Sequence, residues 1–378
     1  MLLKNAKILN DAFAWQTGDL KIENGRIAAL GDRLPDTPDS LDCTGCTVTP
    51  GLIDIHTHGA DGVDYSLAPS PAELARALRL EARQGVTAVL PSMMTAPEPM
   101  LAAALDAVRA YLASPDPDAA WVPGAHLEGP FINPVKCGAQ PPEWISAPDA
   151  SMLDRLSPDG LVRLMAIAPE MDGAMDCIRA LHSRCTLSMG HTAADYDTAC
   201  AAIAAGASSA THLFNGMAAA AHRAPGVPGA IFDHPDTTAE LICDGLHVHP
   251  TVVRAAFRLL HGRIALISDS LNLAGRPEGS RGTDAAGHAI TIRGGRCELD
   301  SGTIAGSCVT LAECVRRAIS FGVPDTEAFA AASITPARIV RLDGETGSLP
   351  VGKRADVVVW CGAVPVAVFV GGRRISAQ

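Results

Sequence analysis

The sequence predicts a (β/α)8 barrel carrying a small β-sandwich domain formed by both chain ends. Three observations carry that prediction. Eight short apolar runs alternate with helical patterns through the middle of the chain, short alternating runs separated by turns occupy the two ends, and histidines and acids recur where the apolar runs stop. Eight is the number of strands a closed parallel barrel needs. The 378 residues suit one large unit with a smaller companion.

At the N-terminal end, Leu2 to Leu9, Gly18 to Ile22 and Gly25 to Leu30 read as strands. Glu23-Asn24-Gly25 is a hairpin turn, because Asn-Gly accepts the positive φ angles that a two-residue loop demands. These pieces have too few long apolar stretches to stand alone. Their complement is at the other end, where Ala355 to Trp360 and Val366 to Val370 are followed by a Gly371-Gly372 turn. Chain ends commonly lie close together, so the two sets can close one β unit. Residues 1–50 with 341–378 therefore form the expected small domain, and 51–340 the barrel.

The barrel strands expected in order are Leu52 to Ile55, Val86 to Leu90, Val122 to Leu127, Leu161 to Ile167, Cys185 to Met189, Ser209 to Leu213, Ala239 to Cys243 and Ile264 to Ile267. Between them, Ser70-Pro71-Ala72-Glu73 opens a helix with a capping serine, a first-turn proline and a glutamate three residues beyond the cap. Asp195 caps a helix over Tyr196 to Ala205, which Gly206 ends. Further helices are expected over 98–113, 174–183, 250–260 and 306–320, with 326–340 after the barrel and Pro336 starting a second short piece. Segment 270–303 breaks the rhythm: it is rich in glycine, and His288 to Asp300 reads as a hairpin turning at Gly294-Gly295. An insertion there would lie over the face where barrel active sites form, as a lid or substrate wall.

Composition narrows the function. Thirty basic and 41 acidic residues leave a net charge of −11, which disfavours a nucleic acid or an anionic membrane as partner. No apolar run approaches the roughly 20 residues of a membrane helix, and the first residues lack the long apolar stretch of a signal peptide. A soluble, cytoplasmic protein is expected. Eleven cysteines, an odd number, read as reduced thiols. Cys43-Thr44-Gly45-Cys46 has redox spacing, but no second pair follows and no helix opens there.

The candidate site residues share one topological position. His56 and His58 end the first strand, Glu128 the third, His191 follows the fifth, His212 lies near the end of the sixth, and Asp269 ends the eighth. All these ends crowd around one mouth of a barrel, so residues distant in sequence can meet there. Each taken alone is compatible with an ordinary buried or capping role. Together they match the needs of a divalent ion. Glu128, His191 and His212 offer a carboxylate and two imidazoles, leaving a fourth position for water; His56 and His58, with Glu128 bridging, offer a second site. One or two ions per subunit are expected, Zn2+ first, with Mn2+, Fe2+ or Co2+ also suited to such ligands. Asp269 is the natural general base. Asn215, the Gly216 N–H, Arg223 and His247 are donors of the kind an anion requires, though Arg223 also reads as a solvated loop charge.

The motifs Pro50-Gly51-Leu52-Ile53-Asp54-Ile55-His56-Thr57-His58-Gly59, His126-Leu127-Glu128-Gly129-Pro130-Phe131, Gly190-His191-Thr192, Thr211-His212-Leu213-Phe214-Asn215-Gly216-Met217, Asp244-Gly245-Leu246-His247 and Gly302-Thr303-Ile304-Ala305-Gly306-Ser307 run in order across nearly the whole chain. In these it closely resembles the N-acetylglucosamine-6-phosphate deacetylase family of the amidohydrolase superfamily. The resemblance implies cleavage of N-acetyl-D-glucosamine 6-phosphate to D-glucosamine 6-phosphate and acetate. It further implies a principal metal on Glu128, His191 and His212, proton transfer by Asp269, and phosphate contacts from Asn215, Gly216, Arg223 and His247. A homodimer is implied too, with Arg223 reaching the neighbouring site.

The fourth strand holds no lysine, so the carbamylated lysine of hydantoinase-like and urease-like enzymes is missing, and Glu128 can take its bridging place. One departure from the resembled pattern matters. Where that family usually has Lys-Gly-Ala-His-Asn-Pro, this chain has Lys136-Cys137-Gly138-Ala139-Gln140-Pro141-Pro142. Gln140 can donate an amide N–H to a substrate but carries no imidazolium charge. It keeps two other readings open: an amidohydrolase acting on a different N-acylated sugar or small amide, and a metal-binding protein without catalysis. The usual Thr-Asp-Ala is Ser268-Asp269-Ser270 here, which retains the acid.

Overall fold

All eight expected barrel strands form in the computed structural model, which describes residues 1–375; residues 376–378 of the expected end domain lie outside the described residues. The strands are Leu52–Thr57, Val86–Met94, Ala125–Glu128, Val162–Ile167, Thr186–Met189, Ser209–Ala210, Thr238–Ile242 and Ile264–Ile267. They pair in chain order, every pair parallel. The eighth returns to the first through Asp269 N–H donating to His56 O at 3.0 Å and His58 N–H donating to Ser270 O at 2.8 Å. Closure therefore falls on the residues of the candidate site.

Alternation along each strand separates two cores. Leu52, Val89, Met165, Leu241 and Leu266 face the surrounding helices, whereas Ile53, Ile55, Leu90, Leu164, Ile242 and Ile267 fill the barrel with Ala337 and Ile339. The helix Ile334–Ile339 supplies those last two residues, and so plugs the end opposite the mouth. Ser70 and Glu73 make the reciprocal capping box expected for Pro71–Arg83, and Asp195 caps Tyr196–Ala205. The sequence reading lacked Ala150–Leu156, capped by Asp149, and Gly226–Asp233. Both are short, and the second is opened by glycine and two prolines, a composition that reads as loop. No helix among the described residues is long and apolar enough to cross a membrane.

Strands from both ends form one eight-stranded sheet, in which Thr47–Pro50 pairs with Val357–Cys361. Val357, Val359, Ala367 and Phe369 enter its own core. Their alternates Val358, Trp360, Val368 and Val370 pack on the barrel's outer layer, so period-two patterning welds the small unit to the large one. The Asn24-Gly25 turn joins Trp15–Glu23 to Arg26–Gly31, with φ of 52° and 75° at its two residues. In the insertion, Ala289–Arg293 and Arg296–Leu299 form the expected hairpin, flanked by Arg281–Thr283 and Ile304–Ser307.

Candidate metal and active site

The first strand does not deliver His56 by simple alternation. Ile53 and Ile55 already point into the barrel, which would turn His56 outward; a register irregularity between Asp54 and Thr57 brings it back to the mouth. His191, His212 and Asp269 lie just past strand ends with φ of 46°, 30° and 47°. Left-handed backbone is costly for such residues, and it persists where surrounding structure over-determines it. Gly216 has to be a glycine: its φ is 57°, and a Cβ there would lie 3.1 Å from His191 Nδ1 and 3.2 Å from His212 Cε1.

These turns assemble two groups sharing Glu128: His56, His58, Glu128 and Asp269 in one, and Glu128, His191 and His212 in the other. All are buried. His191 Nε2 and His212 Nε2 lie 2.9 and 3.0 Å from Glu128 Oε1 and 3.1 Å from each other. His58 Nε2 lies 3.1 Å from Glu128 Oε2 and 3.3 Å from His56 Nε2. Asp269 Oδ1 is 3.4 Å from His56 Nε2 and 3.5 Å from His58 Nε2.

The hydrogen bonds behind the rings decide what these nitrogens can do. His191 Nδ1 donates to Lys136 O at 2.8 Å, His212 Nδ1 to Asn215 O at 3.1 Å, and His58 Nδ1 to Ser92 O at 3.2 Å. A carbonyl only accepts, so each neutral ring carries its proton on Nδ1 and presents a bare lone pair at Nε2. His56 Nδ1 is likewise bonded, to Glu240 Oε2 at 2.9 Å. Four lone pairs thus converge beside two carboxylates. Uncompensated they repel, and spacings near 3 Å are the edges of a polyhedron around an ion with bonds of roughly 2.0–2.2 Å. The donor set fits one or two divalent ions.

Without an ion, the same crowding draws protons. Burial opposes charge on His56, but Glu128 and Glu240 outweigh it and raise its pKa well above the usual value. Burial likewise opposes charge on His58, yet its bonds to Asp269 and Glu128 lift it to about 9; Glu128 raises His191 against the same resistance. Burial would keep Glu128 and Asp269 protonated; His56 above all for Glu128, and the His58 bond for Asp269, pull both below the usual carboxylate range. His126 sits edge-on to His56, 4.6 Å between ring centres. Burial, reinforced by the charge of His56, holds it well below the ordinary histidine value.

The other predicted residues divide. Gln140, Asn215, Gly216 and His247 line the same cavity as the ligand groups. Gln140 Oε1 accepts from Thr95 N–H at 2.7 Å, which sets its Nε2 3.1 Å from His191 Nε2. His247 Nδ1 is held by Asp244 Oδ2 at 2.7 Å; burial resists its charge and Asp244 raises its pKa regardless. Arg223 is exposed on a loop beside His222 and does not line the cavity of its own chain. The insertion supplies Leu271 and Asp284 to the wall, and the strand Ile304–Ser307 that follows it adds Ile304, Ala305 and Gly306. Sequence reasoning passed over Asp64 and Asp284, which also line the cavity, and Glu240 beneath His56. For Glu240 a signal existed, since an acid inside Ala239-Glu240-Leu241-Ile242-Cys243 interrupts an apolar strand.

This chain is similar in sequence and fold to known proteins. Residues 47–375 match the amidohydrolase family. The chain is 36% identical, over 94% of each protein, to an N-acetylgalactosamine-6-phosphate deacetylase of Escherichia coli O157:H7. It is 33% identical to the N-acetylglucosamine-6-phosphate deacetylase of Bacillus subtilis, over 95% of this chain and 92% of that one. Among solved structures, an aspartate-to-alanine variant of N-acetyl-D-glucosamine-6-phosphate deacetylase from Mycobacterium smegmatis, in complex with N-acetyl-D-glucosamine-6-phosphate, superposes with a TM-score of 0.90. Its identity is 32%, over 100% of this chain and 99% of that one.

Proposed function

Because this chain belongs to the amidohydrolase family, we propose that it hydrolyses the acetamide of N-acetyl-D-glucosamine 6-phosphate, releasing D-glucosamine 6-phosphate and acetate. The convergence of four imidazole Nε2 atoms on Glu128 and Asp269 at the barrel mouth carries this reading.

Glu128, His191 and His212 would hold the principal ion, and His56 and His58, with Glu128 between, a second. Zn2+ is the first choice, with Mn2+, Fe2+ or Co2+ suited to the same nitrogen and oxygen ligands. When bound, such an ion polarises a carbonyl and makes water a better nucleophile. Asp269, held ionised by its histidine neighbours, accepts a proton from the attacking water as the new C–O bond forms. It then delivers that proton to the amine nitrogen as the C–N bond breaks. Gln140, its oxygen committed to Thr95, turns its N–H group toward the cavity, where it can donate to the acetamide oxygen. His247, oriented by Asp244, stands with Asn215 and the Gly216 N–H as the phosphate end of the cavity.

Arg223 belongs to the same reading only across a homodimer, reaching the neighbouring subunit's phosphate. Mixed dimers of R223A and D269N subunits should regain activity that neither homodimer has; no rescue in verified mixed dimers would confine Arg223 to its own subunit. A cytoplasmic location follows from a phosphorylated substrate, which does not cross membranes unaided.

Acetate release from N-acetyl-D-glucosamine 6-phosphate by protein reconstituted with defined metal tests the function. Equal rates on the unphosphorylated sugar would remove the phosphate role. The relative acting on the galacto sugar supports one second reading, deacetylation of N-acetyl-D-galactosamine 6-phosphate. A faster reaction with that epimer would replace the first reading with the second.

A further inference from the structure

Each of the four converging histidines is held from behind, but not by the same kind of group. For His58, His191 and His212 the acceptor at Nδ1 is a backbone carbonyl. For His56 alone it is a side-chain carboxylate, Glu240 Oε2, at 2.9 Å, with both residues fully buried. The same oxygen accepts the backbone N–H of His212 at 3.3 Å. An oxygen already receiving one N–H is an acceptor, so His56 donates from Nδ1 and its lone pair at Nε2 is turned to the ligand cluster.

Three features separate Glu240 from an ordinary buried acid. It occupies the barrel-facing position of its strand, two residues before Ile242 of the interior core, where an apolar residue would pack. Its other oxygen, Oε1, is buried with no partner, so local hydrogen bonding alone does not account for its burial, which is costly. Its one bonded oxygen touches a residue from each ligand group. A charged acceptor behind an imidazole fixes the ring and raises the basicity of the far nitrogen more than a carbonyl does.

We propose that Glu240 is the positioning residue of the His56/His58 half of the site: it fixes His56 with Nε2 toward the cluster and so makes that half competent to hold its ion. Glu240 does not touch substrate and acts through His56. Its link to the His212 N–H makes a smaller, secondary contribution to the other half. The inference rests on the two-ion form of the metal reading above.

The test is metal stoichiometry, independent of turnover. Metal-free full-length protein is titrated with Zn2+ against a chromophoric chelator, and in parallel with Co2+, whose visible absorption reports each filled site. The wild type should take up two equivalents. In Glu240→Leu, which suits an apolar strand, and Glu240→Gln, which keeps the volume and an accepting oxygen but loses the charge, the first equivalent should bind nearly as before. The second should weaken on the order of 10–100-fold, more in the leucine variant. The Co2+ absorption of the second equivalent should move with it. Glu81→Gln, a buried acid whose carboxylate oxygens contact no ligand, should keep both equivalents. Two tightly bound ions in all three variants would overturn the role of Glu240 while leaving the two-ion reading intact. A single ion in the wild type would instead remove that reading, and with it the inference.

Discussion

The two halves of the ligand cluster are built by opposite means. His56 and His58 come from one strand, two residues apart, where a register irregularity turns them inward; a buried carboxylate braces His56 and the Ser92 carbonyl braces His58. His191 and His212 come from different strands, each set in left-handed backbone and each braced by a carbonyl. At His56 the first half depends on a side chain that substitution can remove; in the second both histidines are braced by the main chain. Glu128 joins them, with one oxygen toward His191 and His212 and the other toward His58.

The largest effect should follow from cutting that joint. Glu128→Ala removes a carboxylate common to both groups, so metal analysis should find neither ion retained after dialysis and acetate release should fall to background; retention of one ion would show that the halves stand independently. Next is Asp269→Asn, which should lower turnover by roughly 10²–10⁴, the usual worth of a general acid–base group, with the His191/His212 ion still in place. Unchanged turnover would end the proton-transfer role.

A direct contrast comes from single histidine truncations. His212→Ala should cost the ion of the His191/His212 half and nearly all activity, whereas His56→Ala should cost one equivalent and less activity. Equal losses in the two variants would make the halves equivalent.

The smallest effect is a pH dependence of stability. In metal-free protein, His56 and His58 have folded pKa values above the unfolded one, with His58 near 9. Their contribution to stability is full below roughly pH 6.5, the unperturbed histidine value; that of His58 is lost as pH rises through about 9, and that of His56 as pH rises through its own raised value. An ion needs those nitrogens deprotonated, so its binding opposes that protonation. The gain in Tm on adding Zn2+ should therefore widen from pH 6.5 to 9, and parallel Tm curves with and without metal would contradict it.

How far the site was legible in advance depends on the range of the signal. The helix starts at Ser70 and Asp195 and the Asn24-Gly25 turn are local, and they form as read. The six ligand and acid–base residues were found because strand ends in a closed barrel share one mouth, a topological rule that needs no contacts. Arg223 falls outside that rule: it ends no barrel strand and lies on an exposed loop that does not line its own chain's cavity. Glu240 was missed for the opposite reason, since a single acid in an apolar run does not say which neighbour it serves.

Composition, periodicity and motif order by themselves determined the barrel, the end-built β unit and the residue types available for metal and proton chemistry, because these depend on patterns that repeat along the chain. The direction each imidazole presents was decided only by the tertiary structure. It depends on which oxygen stands behind Nδ1: Lys136, Asn215 and Ser92 supply carbonyls, Glu240 a carboxylate, and the last of these lies 184 residues from the ring it holds.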